Sequence, residues 1–264
     1  MLAAVTSLGQ AFAVQRRVIS ALLIREIVTR YGRHNIGFLW LFFEPMLFTL
    51  GVTALWTAIK ATHGTNLPIT AFALTGYSSL ILWRNCSNRV VKAIEVNHSL
   101  LYHRNVKVID VFAARLLLEV VGVTASAAFL IVIFSSIGLM SFPVDPVTVI
   151  SGWLLMIWFS VSLGLIVGAA SERSEIIERV WHIFTYLMFP LSGAAFMVDW
   201  FSKDVQSILL WVPMVHGTEM IRHGYFGSAV RTYENPIYFS LINSVMLLIG
   251  LALVRETGRR VEPE

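Results

Sequence analysis

Apolar residues in this chain come in long runs separated by short polar clusters, and the lengths of those runs predict the elements. A helix needs about 20 predominantly apolar residues to cross the hydrocarbon core of a bilayer. Six segments fit: Ile36–Ile59, Leu67–Trp83, Leu116–Met140, Val147–Ala170, Val180–Val198 and Ile237–Val254. Inside lipid, each backbone polar group must be paired within a helix or a closed barrel. The alternating pattern of a transmembrane barrel is absent, so the segments read as helices. The expected fold is an all-α integral membrane protein with six transmembrane helices.

Three regions do not fit a span. Residues Leu8–Arg33 read as a helix with Phe12, Ile19, Leu23, Ile27 and Tyr31 on one face and Arg25, Thr29 and Arg33 opposite. Arg30 interrupts the apolar stripe. Such a helix is expected to lie along the membrane surface. The run Val91–Asp110 is polar and long enough for a short helix between the second and third spans. The run Asp199–Asn235 holds an apolar stretch, Ile208–Val215, that Pro213 breaks and that is too short to cross. A re-entrant or interfacial hairpin is expected there. The organisation is therefore 1–35 amphipathic interface helix, 36–254 six-span domain with inserts at 91–110 and 199–235, and 255–264 tail.

Composition and charge sharpen this picture. Only 14% of the 264 residues are charged, against roughly a quarter in soluble domains. The basic residues behind the net charge of +4 sit at the ends of apolar runs. They read as topology signals and contacts to anionic membrane lipid, with no nucleic-acid partner implied. Of the 20 Lys and Arg residues, 16 fall in the two termini and in the second and fourth connections, and 4 on the other side. Both termini are thus expected in the cytoplasm. Arg16 and Arg17 are the first basic residues, and no apolar core with a cleavage site follows them, so no secretory signal is read.

Motifs for chemistry are missing. There is no GxxxxGK[ST] phosphate loop, no HExxH and no CxxC, and Cys86 is the only cysteine. Ser192-Gly193 with His216 approaches an intramembrane serine protease pattern, but Pro190 stands where the first glycine is needed. The reading is a helix end with small residues, and no metal site is expected.

Charges at membrane depth carry more information. Glu44 precedes Pro45 inside the first span, and a lone carboxylate there costs on the order of 3 kcal/mol. It needs a polar interior or a partner. Arg84 and Arg89 close the second span, while Arg115 and Glu119 stand i,i+4 at the start of the third. These groups fit either an inner path for an anionic substrate or interfacial anchors with snorkelling side chains. Trp40 and Tyr77 fit an aromatic belt or a lining for sugar rings.

Three stretches resemble the permeases of type-2 ABC exporters, and most closely those exporting capsular polysaccharide from Gram-negative bacteria. They are Leu22–Arg33 continued by Ile36–Trp40 and Glu44-Pro45; Asn97–Asp110 with Arg104-Asn105-Val106-Lys107-Val108; and Trp211–Gly217 followed by Glu219, Arg222, Tyr225 and Phe226. Val212 departs from the wider family, which often carries Asn before that proline. The resemblance covers nearly the whole chain. It implies a bacterial inner-membrane homodimer, with a separate ATPase dimer that binds ATP and Mg, and periplasmic and outer-membrane polysaccharide export proteins beyond. No cofactor is expected in this chain.

The resemblance further implies ATPase coupling through Arg25, Glu26, Arg30, Glu95, His98, Arg104 and Asn105. Trp40, Glu44, Tyr77, Arg84, Arg115 and Glu119 become candidates for the translocation path. Trp211, Pro213, His216, Glu219 and Arg222 would shape a re-entrant exit. Two rivals stay open: a permease for O-antigen or teichoic acid, and a membrane enzyme acting on lipid-linked sugars through Asp199, Asp204, His216 and Glu219.

Overall fold

A computed structural model describes residues 8–32, 35–58, 67–98, 101 and 106–261. Among them the helices are α1 (Leu8–Tyr31), α2 (Asn35–Ala58), α3 (Ile69–Arg89), α4 (Ala93–Asn97), α5 (Val108–Ser136), α6 (Pro146–Ser171), α7 (Glu175–Met188), α8 (Lys203–Leu209), α9 (Pro213–Phe226) and α10 (Pro236–Val261). Short 3-10 turns occupy Val198–Trp200 and Gly227–Ala229. No strand occurs among the described residues.

Among these residues four helices are long and apolar enough to cross a membrane: α2 from Leu39, α5, α6 and α10. The second expected span forms as α3, but Thr75, Ser78, Ser79 and Arg84 dilute its apolar character. Its place in the fold explains the dilution. Ala71 to Trp83 are all buried, with α2, α5, α6 and α9 packed around them. A helix covered by protein needs no uniformly apolar surface.

The fifth expected span, Val180–Val198, requires correction. The helix found there is α7, which starts at Glu175 and ends at Met188. Its 14 residues reach about 21 Å, short of the roughly 30 Å of hydrocarbon. Pro190 cannot continue a helix donor ladder, and Gly193 takes φ +79°, so the helix ends and the chain runs on without regular helix through 189–197, following α3 from Tyr77 past Gly76 to Phe72. The apolar run that looked like one continuous helix is a short helix followed by a non-helical stretch that carries on along α3.

At the opposite edge of the expected 199–235 insert, Pro213 opens α9 at its first turn instead of breaking a helix. The insert is thus α8, a tight turn at 210–212, and α9 packed against α6 and α3. Among the described residues of the polar run 91–110 the α-helix is the five-residue α4, and α5 already begins at Val108. Arg104 and Asn105 lie outside the described residues.

Local chemistry sets the boundaries. Asp145 caps α6, accepting from the Val147 and Thr148 N–H groups at 3.0 and 3.3 Å, with Pro146 following. Hydrogen bonds from Thr148 hold its carboxyl below the usual range. Asn235 plays the same part for α10, accepting from Tyr238 N at 3.0 Å. In α2, Pro45 deprives the Leu41 carbonyl of its helical donor, and Ser126 of α5 donates to the adjacent Phe42 carbonyl at 2.7 Å. Close helix approach uses small residues: a Cβ on Gly164 or Gly168 of α6 would stand 2.6 or 2.7 Å from Leu116 or Phe112 of α5.

Helix α1 carries a surprise on its inner face. Ile19, Leu23 and Ile27 do share the half-buried side, whereas Phe12 is 72% exposed. Glu26 and Arg30 sit on that same inner side. The stripe is interrupted because those two residues meet charges on α5.

Candidate functional site

Six side chains from four helices form an alternating chain of charge at the α1 end of the bundle. Glu44 of α2 accepts from Arg89 of α3 at 2.7 Å. The Arg89 Nε lies 3.7 Å from Glu119 of α5, which also pairs with Arg30 of α1. Arg30 pairs with Glu26 at 3.1 Å, and Glu26 with Arg115 of α5 at 3.2 Å. Three carboxylates thus meet three guanidinium groups, and Arg115 also donates to the Arg89 carbonyl at 3.0 Å. Glu119 is the most enclosed member, its side chain 4% exposed. At the enclosed members Glu26, Arg30, Arg115 and Glu119 each charge requires its neighbour, whereas Arg89 and Glu44 reach solvent.

This geometry corrects one local reading. Arg115 and Glu119 are spaced for an i,i+4 pair, yet each is engaged with α1 and α3 instead. Helix i,i+4 pairs contribute only about 0.2–0.5 kcal/mol, so partners across a buried interface outcompete them. The chain also supplies the partner that Glu44 required.

Around the network lies a cavity of ≈ 280 Å³ lined by Arg25, Glu26, Arg30, Arg89, Asn97 and Arg115 among others. Arg25 donates to Asn97 of α4, and Gln15 to Asp110, so α1 is stitched to both α4 and the start of α5. Helix α4 is braced from the other side as well. Glu172, just past α6, accepts from the Ile94 N–H at 2.7 Å, and Lys92 reaches Glu95 at 3.0 Å and Glu178 of α7 at 3.3 Å. Burial raises the Glu172 carboxyl, opposed by the backbone donors of Ile94 and Glu95. Hydrogen bonds to Glu95 and Glu178 raise the Lys92 ammonium. Glu95 and His98 remain at the surface.

The other candidates for a path separate. Trp40 is 52% exposed on the outside of α2. Tyr77 is buried in an aromatic ladder that runs from Trp200 through Phe72 and Trp56 to Tyr77 and on to Phe189. Arg84 continues its direction, its guanidinium 5.7 Å from the Phe48 ring and 5.8 Å from Tyr186 of α7. Tyr77 and Arg84 therefore share the seam between α2, α3 and α7, while Glu44, Arg115 and Glu119 belong to the ion network.

At the α9 end charges meet backbone. Arg222, fully buried, donates to the carbonyls of Gly193 and Ala194 at 2.7 Å each and to Phe196, and lies 3.9 Å over the Phe72 ring. Gly76 of α3 is required beside it: a Cβ there would collide with the Ala194 carbonyl and stand 2.5 Å from Arg222 Nη2. Glu219 accepts from Val198 N at 3.3 Å and Tyr233 N at 3.2 Å. His216 Nδ1 accepts from Asn235 N at 3.0 Å, which leaves Nε2 as the protonated nitrogen donating to the Leu210 carbonyl at 2.9 Å.

These bonds answer the enzyme reading. His216 and Glu219, three positions apart on α9, point at different loops and are occupied there. Ser192 donates to the Phe189 carbonyl at 2.7 Å, and Asp199 accepts from Tyr233. Among the described residues no group of His, Cys, Asp and Glu is arranged to hold a metal ion. Trp211, by contrast, is 76% exposed, on the turn that precedes Pro213.

Sequence reasoning overlooked Tyr233, Glu234, Asn235 and Tyr238, which line a cleft with Trp211 and His216. Glu-Asn-Pro between two tyrosines was the available signal, since Asn before Pro marks a helix start. It also gave Glu172 and Glu178 no role, and placed Arg89 only at the end of the second span, because their partners are distant in sequence.

An all-helical bundle with several membrane-length helices, whose buried charges join helices or brace loops, is the framework of a transport subunit. The chain belongs to the ABC-2 type transporter family, whose pattern matches residues 17–226. It is 48% identical to the capsule polysaccharide export inner-membrane protein CtrC of Neisseria meningitidis serogroup B, over 98% of both chains. It is 43% identical to the capsule polysaccharide export inner-membrane protein BexB of Haemophilus influenzae, again over 98% of both. With the polysialic acid transport protein KpsM of Escherichia coli it shares 30% identity, over 92% of this chain and 95% of that one.

Proposed function

We propose that this protein is the permease subunit of an ATP-driven exporter that carries capsular polysaccharide across a bacterial inner membrane. The observation that carries the proposal is the end-to-end likeness to the meningococcal capsule export protein, 98% of either chain. Two copies form the pathway, and two copies of a separate ATPase bind on the cytoplasmic side, where both termini lie. ATP and Mg belong to that partner. Periplasmic and outer-membrane export proteins continue the route.

Coupling enters through α1 and α4. Arg25, Glu95 and His98 supply the ATPase-facing surface, Glu26 and Arg30 carry the push inward to α5, and Arg104 and Asn105, outside the described residues, are coupling candidates by sequence alone. A push on α4 reaches α7 through the Lys92–Glu178 pair and the Glu172 bond to Ile94 N. It reaches α2, α3 and α5 through the alternating charge chain. Helix α7 suits the receiving end of such a push, since Thr185 is its only buried residue. The polymer passes between the two copies along α2 and α7, with exposed Trp40 and half-buried Arg84 on that side, while Tyr77 is buried behind it in the aromatic ladder. Helices α8 and α9 re-enter the membrane at the periplasmic side and shape the exit.

Permease and ATPase reconstituted together in vesicles should export polymer only when ATP is present. Export by the permease alone would overturn the division of labour. In cells, deletion should remove the capsule and leave lipopolysaccharide intact; loss of O-antigen instead would shift the substrate to the rival glycopolymer.

A further inference from the structure

A cleft of ≈ 560 Å³ opens at the α9 end, between the turn joining α8 to α9 and the start of α10. This volume lies within the range of small-molecule sites, about 300–1,000 Å³. Three of its lining residues are aromatic: Trp211, Tyr233 and Tyr238. Polar groups stand between them, namely Glu234, Asn235 and His216.

The cleft is built rather than incidental. The Tyr238 hydroxyl donates to the Trp211 carbonyl at 2.9 Å, which fixes the exposed turn to α10. The Tyr238 ring packs edge-on against His216 at 5.0 Å. His216 in turn holds both walls, through Leu210 on one side and Asn235 on the other. Glu234 is tied to His223 outside the cleft, and Arg231 lies 5.5 Å over the Tyr233 ring. Among the described residues lining the cleft there is no Lys or Arg.

Flat aromatic faces beside hydrogen-bonding groups recognise one common chemistry. A pyranose ring lays its C–H face on an aromatic ring and turns its hydroxyl groups to polar side chains; here these are Glu234 and Asn235, since both His216 nitrogens are engaged with Asn235 N and the Leu210 carbonyl. We infer that this cleft binds an uncharged sugar ring of the exported glycan as it leaves the permease. The inference rests on the export reading above. Glu234 in the wall disfavours a carboxylate-bearing ring, and the hydroxyl-rich face of a neutral one suits it.

The test uses the permease with its ATPase in lipid nanodiscs, and the probes are maltoheptaose and a hexamer of galacturonate. Saturation-transfer NMR should show ring-proton signals for the neutral oligomer that exceed those of the acidic one. Trp211→Ala and Tyr238→Ala should each lower that signal at least about threefold, while Trp211→Phe and Tyr238→Phe keep most of it. Phe142→Ala, an exposed aromatic at the same end outside the cleft, should leave it unchanged.

Equal signals in wild type and Trp211→Ala, or an equal loss in Phe142→Ala, overturn the inference. A preference for the galacturonate hexamer overturns its neutral-ring part. In vesicles holding only permease and ATPase, Trp211→Ala should slow polymer export several-fold at unchanged ATP hydrolysis. Normal export there with a defect confined to cells would assign Trp211 to a protein partner and sink the sugar site. Wild-type vesicles that bind maltoheptaose in the cleft yet export nothing with ATP would instead refute the export reading.

Discussion

The two ends of the bundle use the same residue types in opposite ways. At the α1 end Glu26, Glu44, Glu119, Arg30, Arg89 and Arg115 pair with one another. At the α9 end Arg222 and Glu219 spend their bonds on backbone carbonyl and N–H groups of 193–198 and 233. A side chain bonded to backbone has one geometry available, because the loop it holds is part of the fold. A side chain bonded to other charged side chains has several, since Arg30 already touches two carboxylates and Glu119 two guanidiniums. The α9 end is therefore expected to act as a fixed brace and the α1 end as an adjustable joint. That assignment suits a molecule pushed from one end.

The largest effect should come from breaking the brace. Arg222→Met removes the donors from three buried carbonyls and the cation from the Phe72 ring. Leaving such groups unpaired costs about 3–5 kcal/mol, or roughly a 10 °C loss in melting temperature for a chain of this size. Fluorescence-detected melting of the purified permease reads this directly. Gly76→Ala attacks the same brace from α3 and should cost about 1–3 kcal/mol through overpacking. If both variants melt like wild type, the loop 193–198 is not held as described.

Breaking the joint should cost less, although Glu119 is just as enclosed. Glu119→Gln leaves Arg30 with Glu26 and Arg89 with Glu44, so each cation keeps a partner. The expected loss is about 2 kcal/mol, below the 3–5 kcal/mol of an uncompensated buried charge. A double-mutant cycle with Arg30→Gln should return a coupling of about 1–2 kcal/mol. A loss as large as that of Arg222→Met would show the joint to be as rigid as the brace. Glu44→Gln comes next, at about 1 kcal/mol, because its side chain is 43% exposed.

The contrast between joint and brace was only partly legible in the sequence. Hydropathy located α2, α5, α6 and α10, because uninterrupted apolar length is a direct consequence of lipid contact. It also located α3, though the polar face of that helix follows from tertiary burial that no window sees. The fifth span was drawn as one helix from an apolar run whose Pro190 and Gly193 already marked the end of the helix. The charges were found by type and not by partner. Glu44 and Arg89 are 45 positions apart, and Arg30 and Glu119 are 89 apart, separations that the topology alone brings together. For His216 and Glu219 the spacing was right, but which backbone each one holds depends on loops without periodicity.

The smallest effect on stability should fall on the residues proposed to meet the ATPase, and there the comparison is sharpest. Glu95 and His98 lie at the surface on α4 and just beyond it, and Glu95 has only the solvent-facing pair with Lys92. Glu95→Gln should change stability by less than about 0.5 kcal/mol. If α4 feeds the joint, the same substitution should lower polymer export per ATP hydrolysed several-fold in vesicles while melting stays unchanged. Lys92→Met removes the link to Glu178 as well, so it should uncouple more strongly than Glu95→Gln at a similarly small change in melting. Equal export in all three proteins would mean that the push enters elsewhere, and the adjustable charge chain would then be a passive brace like its counterpart at the α9 end.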